Sequence, residues 1–237
     1  MNASAEAGHC VLAVAGLARE ARIAAGPGVR AIVAGGDGRR LAAALEREIS
    51  RGACALISFG IAGGLAEGLS SGTWLVARAI VTPPGRCPCD ARWAQAIADR
   101  LPGAVLADLA GADTPLMDSA SKRAFREATG AVAVDTESHI AAAIAASHGL
   151  PFAAFRVVAD SAQRSLPPAA SAAVTPNGRI SGAAVLGSLA RVPDQLPLLL
   201  RTAVDARRAF GALLRGRRLL GPGLAYPDLS ELLLDLH

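Results

Sequence analysis

Aromatic side chains are scarce in this chain: Phe, Tyr and Trp make up 3% of its 237 residues. An aromatic platform on which nucleic-acid bases could stack is therefore missing, and no helix-turn-helix pattern takes its place, so the basic charge does not point to nucleic acid. Long apolar runs are missing too. Cys10–Ala18 soon meets Arg19 and Glu20, and Met1–His9 holds no cationic segment ahead of an apolar stretch; neither a signal peptide nor a membrane-spanning helix is expected. Cysteine is sparse, with Cys10 and Cys54 in expected strands and Cys87 and Cys89 in one Pro/Gly-rich loop. Four in a chain this long suggest reduced thiols in a cytoplasmic protein rather than a disulfide framework. One C-x-C without a histidine nearby is too few ligands for zinc.

What is present is small and aliphatic: 52% of residues are hydrophobic, and the core must be packed from Ala, Val, Ile and Leu. The length suits one domain over 1–237. The formal charge of +4 comes almost entirely from arginine, and the pI is about 9.3. Its densest cluster is Arg207, Arg208, Arg215, Arg217 and Arg218, interleaved with Phe210, Leu213, Leu214, Leu219 and Leu220 in a basic amphipathic helix expected over 195–220. Such a helix either lies on an anionic membrane surface or, more commonly, docks on the core with a solvated arginine face.

Strand-like runs at Cys10–Ala15, Val29–Ala34, Cys54–Phe59, Thr73–Val81, Ala131–Asp135 and Phe152–Ala159 alternate with helical patterns at Arg39–Ile49, Ala91–Leu101, Ser119–Ala128, Glu137–Ala146 and Ile180–Leu189. Leu166–Pro176 and Arg191–Pro197 read as surface loops. Alternation of this kind predicts an α/β fold, a three-layer α/β/α sandwich around a central mixed sheet. Ligands of such sheets gather at the carboxyl ends of strands. Gly35–Gly38, Gly60–Gly64, Asp135–Glu137 and Asp160–Ser161 all follow strands and point to one edge.

Each of these loops has a plain structural explanation. The glycines could serve tight strand-to-helix turns, or allow backbone amides to approach a sugar or an anion; neither run fits a dinucleotide fingerprint or a P-loop. Glu137 could simply complement a helix dipole, and Asp160 could cap a turn. Together, a carboxylate able to grip two vicinal hydroxyls and an acid able to protonate a leaving base form a coherent pair.

Three elements, Gly60-Ile61-Ala62-Gly63-Gly64-Leu65, Ala133-Val134-Asp135-Thr136-Glu137-Ser138 and Phe155-Arg156-Val157-Val158-Ala159-Asp160-Ser161, resemble in order and spacing the motifs of the nucleoside phosphorylase and nucleosidase family. The resemblance runs from about Val11 to about Leu189. Gly16–Arg22 together with Val134–Ser138 resembles the hopanoid-associated branch, which removes adenine from adenosylhopane. The resemblance implies cleavage of a purine N-glycosidic bond without an organic cofactor or metal, in an assembly of identical subunits, with a dimer expected. Asp160 would protonate N7 of the purine and Glu137 would hold the 2′ and 3′ hydroxyls. Thr136 and the Gly60–Gly63 backbone, with Ile61 and Ala62, would wall the sugar, and Asp135 and Ser161 flank the same pocket.

The nucleophile departs from the family pattern. Ile61 stands where phosphate-using relatives have Ser or Thr. Water-using relatives carry a glutamate five residues after the first-loop glycine; counted from Gly16 that position is Ala21, with Glu20 one residue earlier. Glu20 would serve as base if the loop shifts by one residue, while Arg22, Arg39 or Arg164 could help bind a phosphate co-substrate. Loss of the hydroxyl at Ile61 favours water. Small residues in Asp113–Leu116 replace a base-stacking aromatic, and the apolar Leu166–Ala170 could border the 5′ side of a nucleoside, lipid-linked or small. The alternatives are a soluble methylthioadenosine-type nucleosidase of salvage, a non-catalytic nucleoside-binding protein, and a peripheral membrane module anchored by the C-terminal helix.

Overall fold

The computed structural model describes residues 11–82 and 85–227; the readings at Met1–Cys10 lie outside the described residues. In chain order the elements are β1 (Val11–Ala15), α1 (Ala18–Ala24), β2 (Val29–Val33), α2 (Gly38–Ser50), β3 (Ala55–Gly64), β4 (Trp74–Thr82), β5 (Gly85–Pro88), α3 (Ala91–Arg100), β6 (Val105–Gly111), α4 (Ser119–Thr129), β7 (Ala133–Asp135), α5 (Ser138–Ser147), β8 (Phe152–Asp160), α6 (Pro168–Ala172), α7 (Gly182–Arg191) and α8 (Leu196–Leu220). Helix starts follow the sequence: Asp37, Asp90, Asp118 and Ser181 each accept a backbone N–H at an N-cap, satisfying donors a first helical turn leaves free.

The strands form a mixed sheet in the order β2-β1-β3-β7-β6-β4-β5, with β8 paired to both β3 and β4. β1, β2, β3 and β8 run parallel, whereas β3–β7 and β4–β8 are antiparallel. Alternate residues of β1 face opposite sides. Val11 and Ala13 join a core with Ala24, Trp93, Ile97, Phe210 and Leu213, and Leu12 and Val14 join one with Leu41, Leu45, Ala141 and Ala145. The predicted three-layer sandwich is therefore what the chain forms.

Three expectations need correction. β3 does not end at Phe59: it continues through Gly64, pairing with β8 along most of its length and with β7 at Gly63 and Gly64. Gly60, Gly63 and Gly64 are thus strand residues, and none has a positive φ. The stretch read as a loop at Leu166–Pro176 contains α6. Cys54 is disulfide-bonded rather than reduced, while Cys87 and Cys89 are free thiols.

The stretch expected as a basic C-terminal helix is α8. Ala209, Phe210, Ala212, Leu213, Gly216 and Leu220 are buried on one face, and a Cβ on Gly216 would lie 2.6 Å from Phe155 Cζ, so the helix rides directly on β8. Arg217 donates to the Ala24 carbonyl at 2.9 Å and the Gly221 carbonyl at 2.7 Å; Arg207, Arg208, Arg215 and Arg218 remain exposed. The arginine-rich end is docked on the core. No helix among the described residues is long and apolar enough to cross a membrane.

Candidate active site

Residues of β3, β7 and β8 meet around one buried guanidinium. Arg156, on β8 and fully buried, pairs with Asp135 at 3.0 Å and Glu137 at 3.2 Å, and also donates to Ser58 and to the Ile61 carbonyl. Burying an unpaired charge would be prohibitive, and a guanidinium offers enough donors to hold several acceptors at once. Asp135 is fully engaged: it accepts from the Glu137 N–H at 2.8 Å, the Ser138 N–H at 2.7 Å and the Ser138 hydroxyl at 2.5 Å. These bonds make it an anchor for Arg156 and for the start of α5.

Glu137 lies immediately before α5, 5% exposed. Its Oε1 accepts the Thr136 hydroxyl at 2.5 Å, so Thr136 orients the glutamate as well as flanking the site. A Cβ on Gly16 would stand 2.8 Å from Glu137 Oε1, and glycine after β1 is what lets the carboxylate reach this position. Burial pushes the Glu137 carboxyl above its ordinary value, and Arg156 opposes the rise.

Glu20 joins the same cluster from α1. Its Oε2 accepts the Leu17 N–H at 2.7 Å, across the first turn, and its Oε1 accepts the Ile61 N–H at 2.8 Å on β3. A Cβ on Gly60 would lie 2.6 Å from Glu20 Oε1 and 2.8 Å from Arg156 Nη1. Gly60 therefore serves close approach, not a turn. Glu20 is 1% exposed, and burial pushes its carboxyl up to about 7, with Arg156 holding it lower and Glu137 raising it. Ala21 carries no chemistry and is buried at 7% exposure; the acid of the first loop is Glu20.

Asp160 ends β8, where the β3–β8 register shifts between Ala62 and Gly63 so that Gly63 faces Asp160. Such an irregularity bends a strand and re-aims its side chains. The carboxylate is ion-paired with Lys122 of α4, which also donates to the carbonyls of Ser161 at 3.1 Å and Arg164 at 2.8 Å. Burial pushes the Asp160 carboxyl up, and Lys122 works against that.

Asp160 and Ile61 help line a cavity of about 1480 Å³ whose other walls come mainly from α1, α6, α7 and α8 and the segments beside them, among them Leu17, Leu166, Ala169, Val185, Leu199 and Phe210. Of the arginines considered for an anion, Arg22 lines this cavity, Arg164 pairs with Asp205 at 3.3 Å, and Arg39 is exposed at the start of α2. They do not gather with Arg156. Lys122 and Arg156 were not singled out from sequence; a lone lysine among 24 Lys and Arg residues was the signal available for the first. Among the described residues no group of three or more His, Cys, Asp and Glu could hold a metal ion.

A mixed sheet that gathers Glu20, Asp135 and Glu137 around the buried Arg156, and whose Ile61 and Asp160 line a cavity, belongs to a glycosyl-bond-cleaving enzyme of the nucleoside phosphorylase and nucleosidase fold. The chain belongs to the phosphorylase superfamily, whose family model matches residues 25–191. Its structure is similar to that of the 5′-methylthioadenosine/S-adenosylhomocysteine nucleosidase of S. pneumoniae, with 17% identity, 89% of this chain and 99% of that chain covered, and a TM-score of 0.60. The S-adenosylhomocysteine nucleosidase of Streptococcus pyogenes matches with 15% identity over 90% and 97% of the two chains and a TM-score of 0.60. The futalosine hydrolase of Helicobacter pylori matches with 13% identity over 88% and 96% and a TM-score of 0.59. No curated protein sequence matches the chain.

Proposed function

We propose that the protein hydrolyses the N-glycosidic bond of a purine nucleoside bearing a large apolar 5′ group, of the adenosylhopane kind, and releases adenine. The observation that carries this reading is the cavity. At about 1480 Å³ it exceeds the roughly 300–1,000 Å³ of ordinary small-ligand pockets, and most of its lining residues are apolar, with Asp160, Thr202 and the arginines Arg19, Arg22, Arg179 and Arg207 among them. A methylthio group would leave most of it unfilled.

In this reading Glu137 binds the 2′ and 3′ hydroxyls and places negative charge beside the cationic sugar of the transition state. Glu20 takes a proton from water as its oxygen attacks C1′; the C1′–N9 bond breaks, its electron pair enters the purine, and Asp160 protonates N7 so that neutral adenine leaves. Water suits the site better than phosphate. An anion beside Gly60 and Ile61 would meet Glu20 and Glu137, with Arg156 already shared between Asp135 and Glu137. The exposed apolar residues Val174, Ile180 and Leu200 line the cavity, consistent with a peripheral encounter with the membrane that holds such a substrate.

Adenine release from adenosylhopane and from methylthioadenosine, each with and without phosphate, tests the proposal. Phosphate-independent release from the lipid-linked substrate alone is the expected result. Preference for methylthioadenosine would favour a salvage nucleosidase, the reading in line with the nucleosidases of similar fold. Inactivity on both would point to a non-catalytic nucleoside-binding protein.

A further inference from the structure

The cationic residues of this chain are arginine at every position but one. Lys122 is the sole lysine among the 24 Lys and Arg residues, and it stands where its ammonium touches Asp160. It is 1% exposed, and its other contacts are the Ser161 and Arg164 carbonyls, so all three N–H donors are used inside the protein. Arginine would satisfy the same carboxylate and would hold its charge more firmly, but a guanidinium does not give up a proton in proteins, whereas a buried lysine can.

We infer that Lys122 supplies the proton that Asp160 delivers to the leaving base. The inference rests on the reading of Asp160 as the general acid. In the resting pair the proton sits on Nζ and Asp160 is the carboxylate. As the C1′–N9 bond breaks, a proton passes from Nζ to Asp160 and from Asp160 to N7. Lys122 is left as the neutral amine, adenine departs neutral, and the amine regains a proton from water once the product has gone. Lys122 acts through Asp160 and does not touch the substrate; it is a positioning residue that also holds the proton. The burial that raises the Asp160 carboxyl favours this transfer, because it makes the ionised pair costly to keep once a base is bound.

The experiment compares Lys122→Arg and Lys122→Met with the wild type on two substrates: the adenine nucleoside the enzyme cleaves best, and 4-nitrophenyl riboside, whose leaving group needs no protonation. Lys122→Arg keeps the charge but not the transferable proton. It should lower kcat for adenine release by about 100-fold or more, with KM little changed and 4-nitrophenol release within about threefold of wild type. Lys122→Met should show the same selective loss at neutral pH, and its deficit relative to wild type at the same pH should narrow as pH falls, when Asp160 takes its own proton from solvent. Adenine release by Lys122→Arg at the wild-type rate would overturn the inference, leaving Lys122 as charge alone. Equal losses on both substrates would also overturn it, as the mark of a merely structural lysine. A wild type active on neither substrate would instead remove the underlying reading of the enzyme.

Discussion

At the scale of single residues, the proposed base Glu20 and the proposed acid Asp160 stand in different surroundings. Glu20 is 1% exposed, and burial lifts its carboxyl to about 7, the range in which a general base works best at neutral pH. As the base it is active only when ionised, so kcat/KM should rise with pH through about 7 and level off above. Glu20→Gln should cost about 100-fold or more in kcat and remove that limb; a variant that keeps the limb would take Glu20 out of water activation. Asp160→Asn cannot hand a proton to the base, and adenine release should fall by between about 100- and 10,000-fold. Unchanged turnover would remove Asp160 from the mechanism. Both of the acids after β7 and β8 were legible in the sequence because they follow apolar strands at the edge where ligands gather. Arg156 and Lys122 were not, since a buried charge is recognised by its partners, and those partners are brought together only by folding: Asp135 lies 21 residues from Arg156 and Asp160 lies 38 from Lys122.

At the scale of elements, most strands and helices were readable from period and caps, and the misses have physical causes. β5 carries Gly and Pro and lies at the sheet edge, where such residues are tolerated without a strand-like pattern. α1 has seven residues, three of them charged, too short for a helical period to show. Gly60–Gly64 looked like a turn because glycine marks turns more often than strands; here β3 needs glycine so that Glu20, Arg156 and the β8 backbone can press against it. The link between 174 and 180 shows the other use of glycine. Val174 and Ile180 bridge, and between them Gly178, at φ +66°, accepts the Ala18 N–H at 2.8 Å through its carbonyl. This turn braces the start of α1, the helix that presents Glu20. A side chain on Gly178 would be strained and its Cβ would lie 2.5 Å from Val33 Cγ1 and 2.8 Å from the Gly16 carbonyl. Gly178→Val should therefore destabilise the protein by roughly 1–3 kcal/mol and lower kcat by displacing α1. A melting temperature and activity both equal to wild type would show that the turn does not brace the helix.

At the scale of the whole molecule, the sequence suggested that any membrane contact would be made by the arginines near the C-terminus. The fold assigns that end of α8 to packing on β8, through Phe210, Leu213 and Leu220. Exposed apolar side chains gather elsewhere, with Ile180, Leu186, Val192, Leu196, Leu200 and Val204 all between 46% and 68% exposed, along α7 and the first half of α8. Ile180 and Leu200 also line the cavity, so the apolar surface is continuous with the inner chamber. Arg191 and Arg201, both exposed, lie in the same segment and would favour anionic headgroups. A lipid-linked nucleoside could then leave the bilayer and enter the cavity without its apolar part crossing water. On the proposed reading the contact would fall on α7 and the start of α8, and a variant with Leu186→Ser, Val192→Ser and Leu196→Ser, none of which lines the cavity, should separate capture from chemistry. Its sedimentation with phosphatidylglycerol vesicles and its rate on vesicle-borne adenosylhopane should both fall by about 100-fold or more, since three apolar anchors of roughly 1 kcal/mol or more each are removed, while turnover of a water-soluble adenine nucleoside stays at the wild-type level. Undiminished vesicle binding would exclude this surface, and an equal loss on the soluble substrate would mean that α7 matters to the folded site rather than to the membrane.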